Sequence, residues 1–187
     1  VVVDATRLDL ALLAPPLAGL VDAKGDLTID MPADFSWTGD IAATGLDWPS
    51  GSAAAVSGPV RVRKEGSILT WRASALAING ARVDALPDMV PGRYTGATAG
   101  EINLRTNALD IYDTQLQGAA GSVTARGGIA PRTGAMEFNG SARLLRVQDF
   151  GPVAGAANAR WSVRQASTNA PMRIEVAADG RELTSDI

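Results

Sequence analysis

Apolar and polar residues alternate one by one along most of this chain, and that alternation admits few folds. Leu27, Ile29 and Met31 alternate with Asp26, Thr28 and Asp30, and Phe35, Trp37 and Ile41 are interleaved with Ser36, Thr38 and Asp40. The same beat recurs at Val60 and Val62, at Leu69, Trp71 and Ala73, at Ile102 and Leu104, and at Val123 and Ala125. It returns in Met136, Phe138, Ala142 and Leu144, in Trp161 and Val163, and in Met172, Ile174 and Val176. A period of two puts one set of side chains on each side of an extended strand. Strands with one apolar and one wetted side belong to antiparallel sheets covered on one face only.

Short polar or Gly/Pro signals divide these runs: Gly25, Gly39, Gly45, Pro49-Ser50-Gly51, Gly66, Asn79-Gly80, Gly118, Gly127-Gly128, Pro131 to Gly134 and Asp179-Gly180. Read as turns, they space strands at about 8–12 residues, the spacing of an all-β meander, sandwich, barrel or long open sheet. Helix is confined to two Pro-interrupted candidates, Leu8 to Leu13 and Gln148 to Ala157, each no more than a short turn. The four-residue spacing of Asp22, Asp26, Asp30 and Asp34 imitates an acidic helix face. Asp26 and Asp30 are better read as the wet side of the strand carrying Leu27 and Ile29.

Size and composition decide how thick a core these strands can build. The 187 residues suit one domain or two small ones. Hydrophobic residues make up 46%, so the chain is not disordered by composition, but aromatics are 5% and much of the apolar share is Ala. Large side chains are too few to fill a closed interior, which favours a folded-over sheet with its apolar side open. A closed sandwich satisfies the same period. A transmembrane β-barrel would need longer lipid-facing strands and aromatic girdles.

An internal repeat is visible. Pro16-Leu17-Ala18-Gly19 is echoed by Pro152-Val153-Ala154-Gly155, and Asp40 to Gly45 (DIAATG) by Glu175 to Gly180 (EVAADG). The offset is near 135 in both. The chain divides accordingly into one repeat, about 8–143, and the start of a second, about 144–187. It begins without Met, in Val1-Val2-Val3, and reads as a piece of a longer protein.

Catalytic chemistry finds little footing. There is no Cys and no His, which removes thiol nucleophiles, disulfides, Cys/His metal sites and every His-based triad. A Ser-Lys dyad would need Lys24 or Lys64, and Lys64 lies in a charged strand end, Arg61 to Gly66, where solvated charge is the plain reading. Carboxylate pairs such as Asp110/Asp113 and Asp84/Asp88 have no flanking motif. No calcium loop or phosphate-binding loop is present. A net charge of −3 offers nothing to neutralise nucleic-acid phosphates. The reading is therefore not an enzyme, with no metal, no cofactor and no nucleic acid. Asn139-Gly140-Ser141 matches a glycosylation sequon but suits a turn or bulge. Trp37, Trp71 and Trp161 fall on apolar-face positions, and Trp48 precedes Pro49 at a strand end.

Three segments carry a family likeness. The apolar corner Leu12 to Gly19 (LLAPPLAG) leads into a Gly-begun strand, Gly25 to Asp30 (GDLTID). Leu109 to Gly118 (LDIYDTQLQG) runs into Gly121 to Ile129 (GSVTARGGI), and Ala177 to Leu183 (AADGREL) follows later. Together they resemble the repetitive periplasmic part of TamB-like and AsmA-like proteins of Gram-negative bacteria. Type II secretion protein N shares the style, but its Gly-Thr-Leu-Trp element is absent here.

The resemblance implies a long antiparallel sheet curled into an elongated half-pipe, a β-taco, with an apolar groove. It implies a periplasmic location within a parent anchored in the inner membrane, the anchor lying outside this chain. The implied partners are phospholipid acyl chains and, through the parent, an outer-membrane β-barrel partner of the Omp85 type. The implied work is phospholipid transport between the membranes and outer-membrane protein translocation and assembly. The alternative is a closed β-sandwich interaction module of a cell-envelope or type II secretion assembly. The groove set expected from the alternation is Leu27, Ile29, Met31, Phe35, Trp37, Ile41, Leu69, Trp71, Ile102, Leu104, Val123, Met136, Phe138, Trp161, Val163, Met172, Ile174 and Val176.

Overall fold

The computed structural model describes residues 1–13, 17–30, 33–48, 51–83, 93–145 and 153–185. They form twelve strands: β1 (Val2–Asp9), β2 (Ala18–Asp30), β3 (Asp34–Trp48), β4 (Gly51–Glu65), β5 (Ile68–Asn79), β6 (Arg82–Val83), β7 (Arg93–Asn103), β8 (Ala108–Gly118), β9 (Gly121–Ala130), β10 (Ala135–Leu144), β11 (Val153–Gln165) and β12 (Arg173–Ser185). One short helix, α1 (Leu10–Leu13), follows β1, and the Asp9 carboxylate accepts from the Ala11 N–H at 2.9 Å at its start.

All strands belong to one antiparallel sheet, ordered β1-β2-β3-β4-β5-β7-β8-β9-β10-β11-β12, with β6 appended to β4. With β6 set aside, the order follows the chain, and each strand pairs with those before and after it. β1 and β12 are the two free edges, and the sheet is not closed. A sandwich needs a second sheet, and the described residues form only one, so the half-pipe is the architecture and the closed sandwich is not. Burial agrees. The buried hydrophobic residues are Ala43, Ala53, Ala73 and Ala120, and no large side chain is fully buried among the described residues.

Register fixes the faces, because directly paired residues point to the same side. The alternation in exposure follows it: wet-face residues of β2, β3 and β4 are mostly exposed, while their apolar-face neighbours are half-buried. Among the described residues no second layer covers the apolar side. Register shifts interrupt seven of the pairings, among them β2–β3, β4–β5, β7–β8 and β11–β12. Such bulges bend a strand and strengthen its twist.

The two echoed corners have the same local structure. Ala18 pairs with Asp47 and Leu20 with Thr44. Ala154 pairs with Thr184 and Ala156 with Arg181. In each hairpin one residue of the first strand opposes two of the second, and that one residue, Gly19 or Gly155, holds a positive φ of 134° or 129°.

Several glycines expected at turns lie inside strands instead. Gly25 and Gly39 pair with each other across β2 and β3. Gly127 and Gly128 are within β9, Gly140 within β10, and Asp179-Gly180 within β12. Residues 153–157, the end of a helical candidate, are the start of β11. The other part of that candidate, and Met31, Asp84 and Asp88, lie outside the described residues.

Candidate functional site: the apolar face

One line of paired residues runs across the whole sheet on one face. Leu27 pairs with Trp37, Trp37 with Val62, Val62 with Trp71, and Trp71 with Gly100. The line continues from Gly100 to Ile111, Gly127, Phe138, Val163 and Ile174. Beyond Leu27, the amino terminus extends it: the Leu27 N–H donates to the Val1 carbonyl at 2.8 Å, and the Val1 ammonium donates back to the Leu27 carbonyl at 2.7 Å. No side chain in this line is charged.

Parallel lines flank it. On one side Ile29, Phe35, Lys64, Leu69, Ile102, Leu109, Ile129 and Met136 succeed one another. On the other, Gly25, Gly39, Val60, Ala73, Thr98, Thr114, Ala125, Gly140, Trp161 and Val176 do. Ile41 pairs with Ala23 and Val123 with Leu116, one pleat further along the same face. All the expected groove residues within strands therefore fall on a single face. Leu104 and Met172 do not lie in strands; they adjoin the ends of β7 and β12 and are 43% and 53% exposed. The set expected from alternation omits Val62 and Ile111, which occupy the central line. Val62 carries the signal, since it alternates with Arg61 and Arg63; Ile111 loses it to the bulge that follows.

Aromatic rings make this face smooth. A Cβ built on Gly100 would lie 2.5 Å from Cζ2 of Trp71, and one on Gly140 would lie 2.6 Å from Cζ2 of Trp161. The Phe138 ring takes the same place over Gly127, Tyr94 over Gly118, and Trp48 over Gly51. Each ring spreads over a partner strand's glycine, so its area is shared between both strands.

One lysine sits on this face. Lys64 pairs with Phe35 and Leu69, and its ammonium reaches to the rim, donating to the Ala33 carbonyl at 2.8 Å and lying 3.6 Å from the Asp34 carboxylate. Asp34 also accepts from the Gly66 N–H at 2.8 Å. Lys64 is thus an anchored corner residue, with 21% of its side chain exposed, rather than a solvated strand end.

The wet face carries the charges and the recesses. A hollow of about 810 Å³ is framed by Asp110, Arg126, Glu137, Asn139 and Arg164 over the small residues Gly128, Ala130 and Ala135. Two arginine pairs are directly opposed on this face: Arg61 with Arg72, and Arg164 with Arg173. Glu137 relieves the second by binding Arg164 at 2.9 Å. Nearby, Tyr112 donates to Glu101, and that hydrogen bond, ahead of burial and the charges of Glu101 and Asp110, pushes its hydroxyl up to about 12. Among the described residues no cluster of three His, Cys, Asp or Glu is arranged to hold a metal. No helix among them is long and apolar enough to cross a membrane.

Compared with protein-family models, curated proteins and solved structures, the chain finds no match.

Proposed function

We propose that this chain is a segment of a periplasmic bridge, part of an inner-membrane-anchored parent, whose apolar face carries phospholipid acyl chains between the membranes. In the same proposal the parent serves outer-membrane protein translocation and assembly through a β-barrel partner of the Omp85 type. The observation that carries the reading is the uncharged line from Leu27 to Ile174, continuous across ten strands with nothing packed over it among the described residues. Acyl chains laid across such a face gain about 25 cal/mol per Å² of apolar surface removed from water, whatever the headgroup. The reading requires no enzyme chemistry and no cofactor.

The test is lipid capture without detergent. A photo-crosslinking amino acid at Val62 or Phe138 should trap phospholipid, whereas one at Arg61 or Asn139, a residue away on the wet side, should not. Mass spectrometry of the untreated protein should find copurified phospholipid. Equal trapping on both faces, or none on either, would remove the proposal.

A further inference from the structure

On the wet face, β9, β10 and β11 each contribute an arginine that no carboxylate neutralises. Thr124 pairs with Ser141, and Ser141 with Arg160, so these three side chains stand in one row across the sheet. Arg126, paired with Asn139, lies one row to one side, and Arg143, paired with Ser122 and Asn158, one row to the other. All three arginines are exposed, and among the described residues none of them forms an ion pair. Arg164 on the same face differs, being bound by Glu137. Arg126 donates one N–H to the Asn139 amide oxygen at 2.9 Å, and its terminal amino groups stay open.

Two hollows meet at this row. One of about 420 Å³ is lined by Arg143, Arg160 and Asn158, and the other, of about 480 Å³, by Arg126, Arg160 and Asn139. Thr124 and Ser141 line both. Their hydroxyl oxygens are 2.9 Å apart, and Thr124 Oγ1 also accepts the Ser141 N–H at 3.3 Å. One hydroxyl hydrogen is spent between the two, which leaves the other to donate to a ligand. Asp113 on β8 and Asp179 on β12 stand at the outer ends of the hollows.

We infer that this row binds the phosphate monoester of a sugar, with the phosphate over the Thr124–Ser141 pair and among the three guanidinium groups. Guanidinium forks and a hydroxyl donor match the three free oxygens of a monoester, whereas a carboxylate offers two. Asp113 and Asp179 repel an anion that reaches beyond the row. They therefore disfavour a nucleic-acid strand or an anionic bilayer surface and leave room for a compact ester. Apart from Ala177, the side chains that line the hollows from this face are polar, which suits sugar hydroxyls and gives an acyl chain nothing to bury against. The site lies on the side of the sheet away from the uncharged line, and its occupancy does not depend on lipid binding.

Calorimetric titration of the whole chain with glucose 6-phosphate tests this. One saturable site should appear at low ionic strength, and glucose itself should show none. Arg160→Gln should weaken binding about tenfold or more, the loss expected for a charged hydrogen-bond donor. Arg160→Lys keeps the charge but loses the fork, and should recover only part of it. Arg72→Gln removes another exposed arginine from the same face and should change nothing. Substitutions at exposed positions leave the urea midpoint nearly where it was, which separates lost binding from lost folding. Vesicles containing phosphatidic acid present a phosphate monoester on a membrane, and should not displace the sugar ester. Absence of saturation, an equal loss in Arg72→Gln, equal binding of glucose, or displacement by the vesicles would overturn the inference.

Discussion

The indole of Trp71 occupies the space above Gly100 on the neighbouring strand. A methyl group at Gly100 would press on the ring and also on the Asp110 carbonyl oxygen. At Gly118 the obstruction comes from the Tyr94 ring alone. Gly100→Ala should therefore destabilise by about 1–3 kcal/mol, as overpacking does. Shrinking Trp71 should not rescue it, because the carbonyl remains. Gly118→Ala should cost much less in a Tyr94→Ala background than in the native one. Urea midpoints around the two double-mutant cycles check this: strong coupling at 94/118 and weak relief at 71/100 is the expected pattern.

Adjacent residues on opposite faces should respond oppositely to the same charge. Val62→Asp sets a carboxylate between Trp37 and Trp71 and should cost roughly 1–3 kcal/mol. Arg61→Asp should be neutral or slightly stabilising. Denaturant unfolding reads the first difference and lipid crosslinking the second, with capture lost only in Val62→Asp.

Arg61 and Arg72 face each other with no ion pair to either among the described residues. Arg72→Glu should stabilise by about 0.2–1 kcal/mol. The gain should shrink as salt is added, since exposed charges are screened. A salt-independent gain would assign the effect to packing.

Tyr112 gives the fold a measurable alkaline response. Its folded-state value of about 12 lies above the ordinary 10, so the folded chain holds this proton more tightly than the unfolded one. The contribution is complete below about pH 10 and is lost as pH rises towards 12. In a Tyr94→Phe background, tyrosinate absorbance should report that single group. Glu101→Gln should bring its midpoint back towards 10.

Strands are legible in the sequence wherever apolar residues alternate with polar ones, and the expected face set falls on one side because register preserves that phase from strand to strand. Glycine is the poor guide. Gly25, Gly39, Gly127 and Gly140 look like punctuation and end nothing. They make room for a facing backbone or for a ring from the next strand, and a linear sequence does not show which aromatic lies over which glycine. Asp179-Gly180 misleads for the same reason, having the composition of a tight turn but lying in mid-strand. Bulges hide other members: Tyr112 and Asp113 interrupt the beat between Ile111 and Thr114, so the central position of Ile111 is not apparent. The opposed arginines are invisible, because Arg61 and Arg72 become neighbours only through the β4–β5 pairing.

Lipid capture should ignore the headgroup. Among the described strand residues lining the apolar face only Lys64 is charged, and it is held at the rim by Asp34 and Ala33, so phosphatidylethanolamine and phosphatidylglycerol should crosslink about equally. Raising salt from low to physiological strength should change little. A marked preference for the anionic lipid would mean that the wet-face arginines take part.

Sequence-ordered pairing makes the molecule a ruler. Each hairpin touches only the hairpins before and after it, so inserting or deleting one leaves every other hydrogen-bonded ladder intact and both faces in phase. The change in reach is two strand spacings, about 9.6 Å. Span is therefore set by counting hairpins, and the near-identical bulged hairpins β2–β3 and β11–β12 are the graduation marks that such counting by duplication would leave.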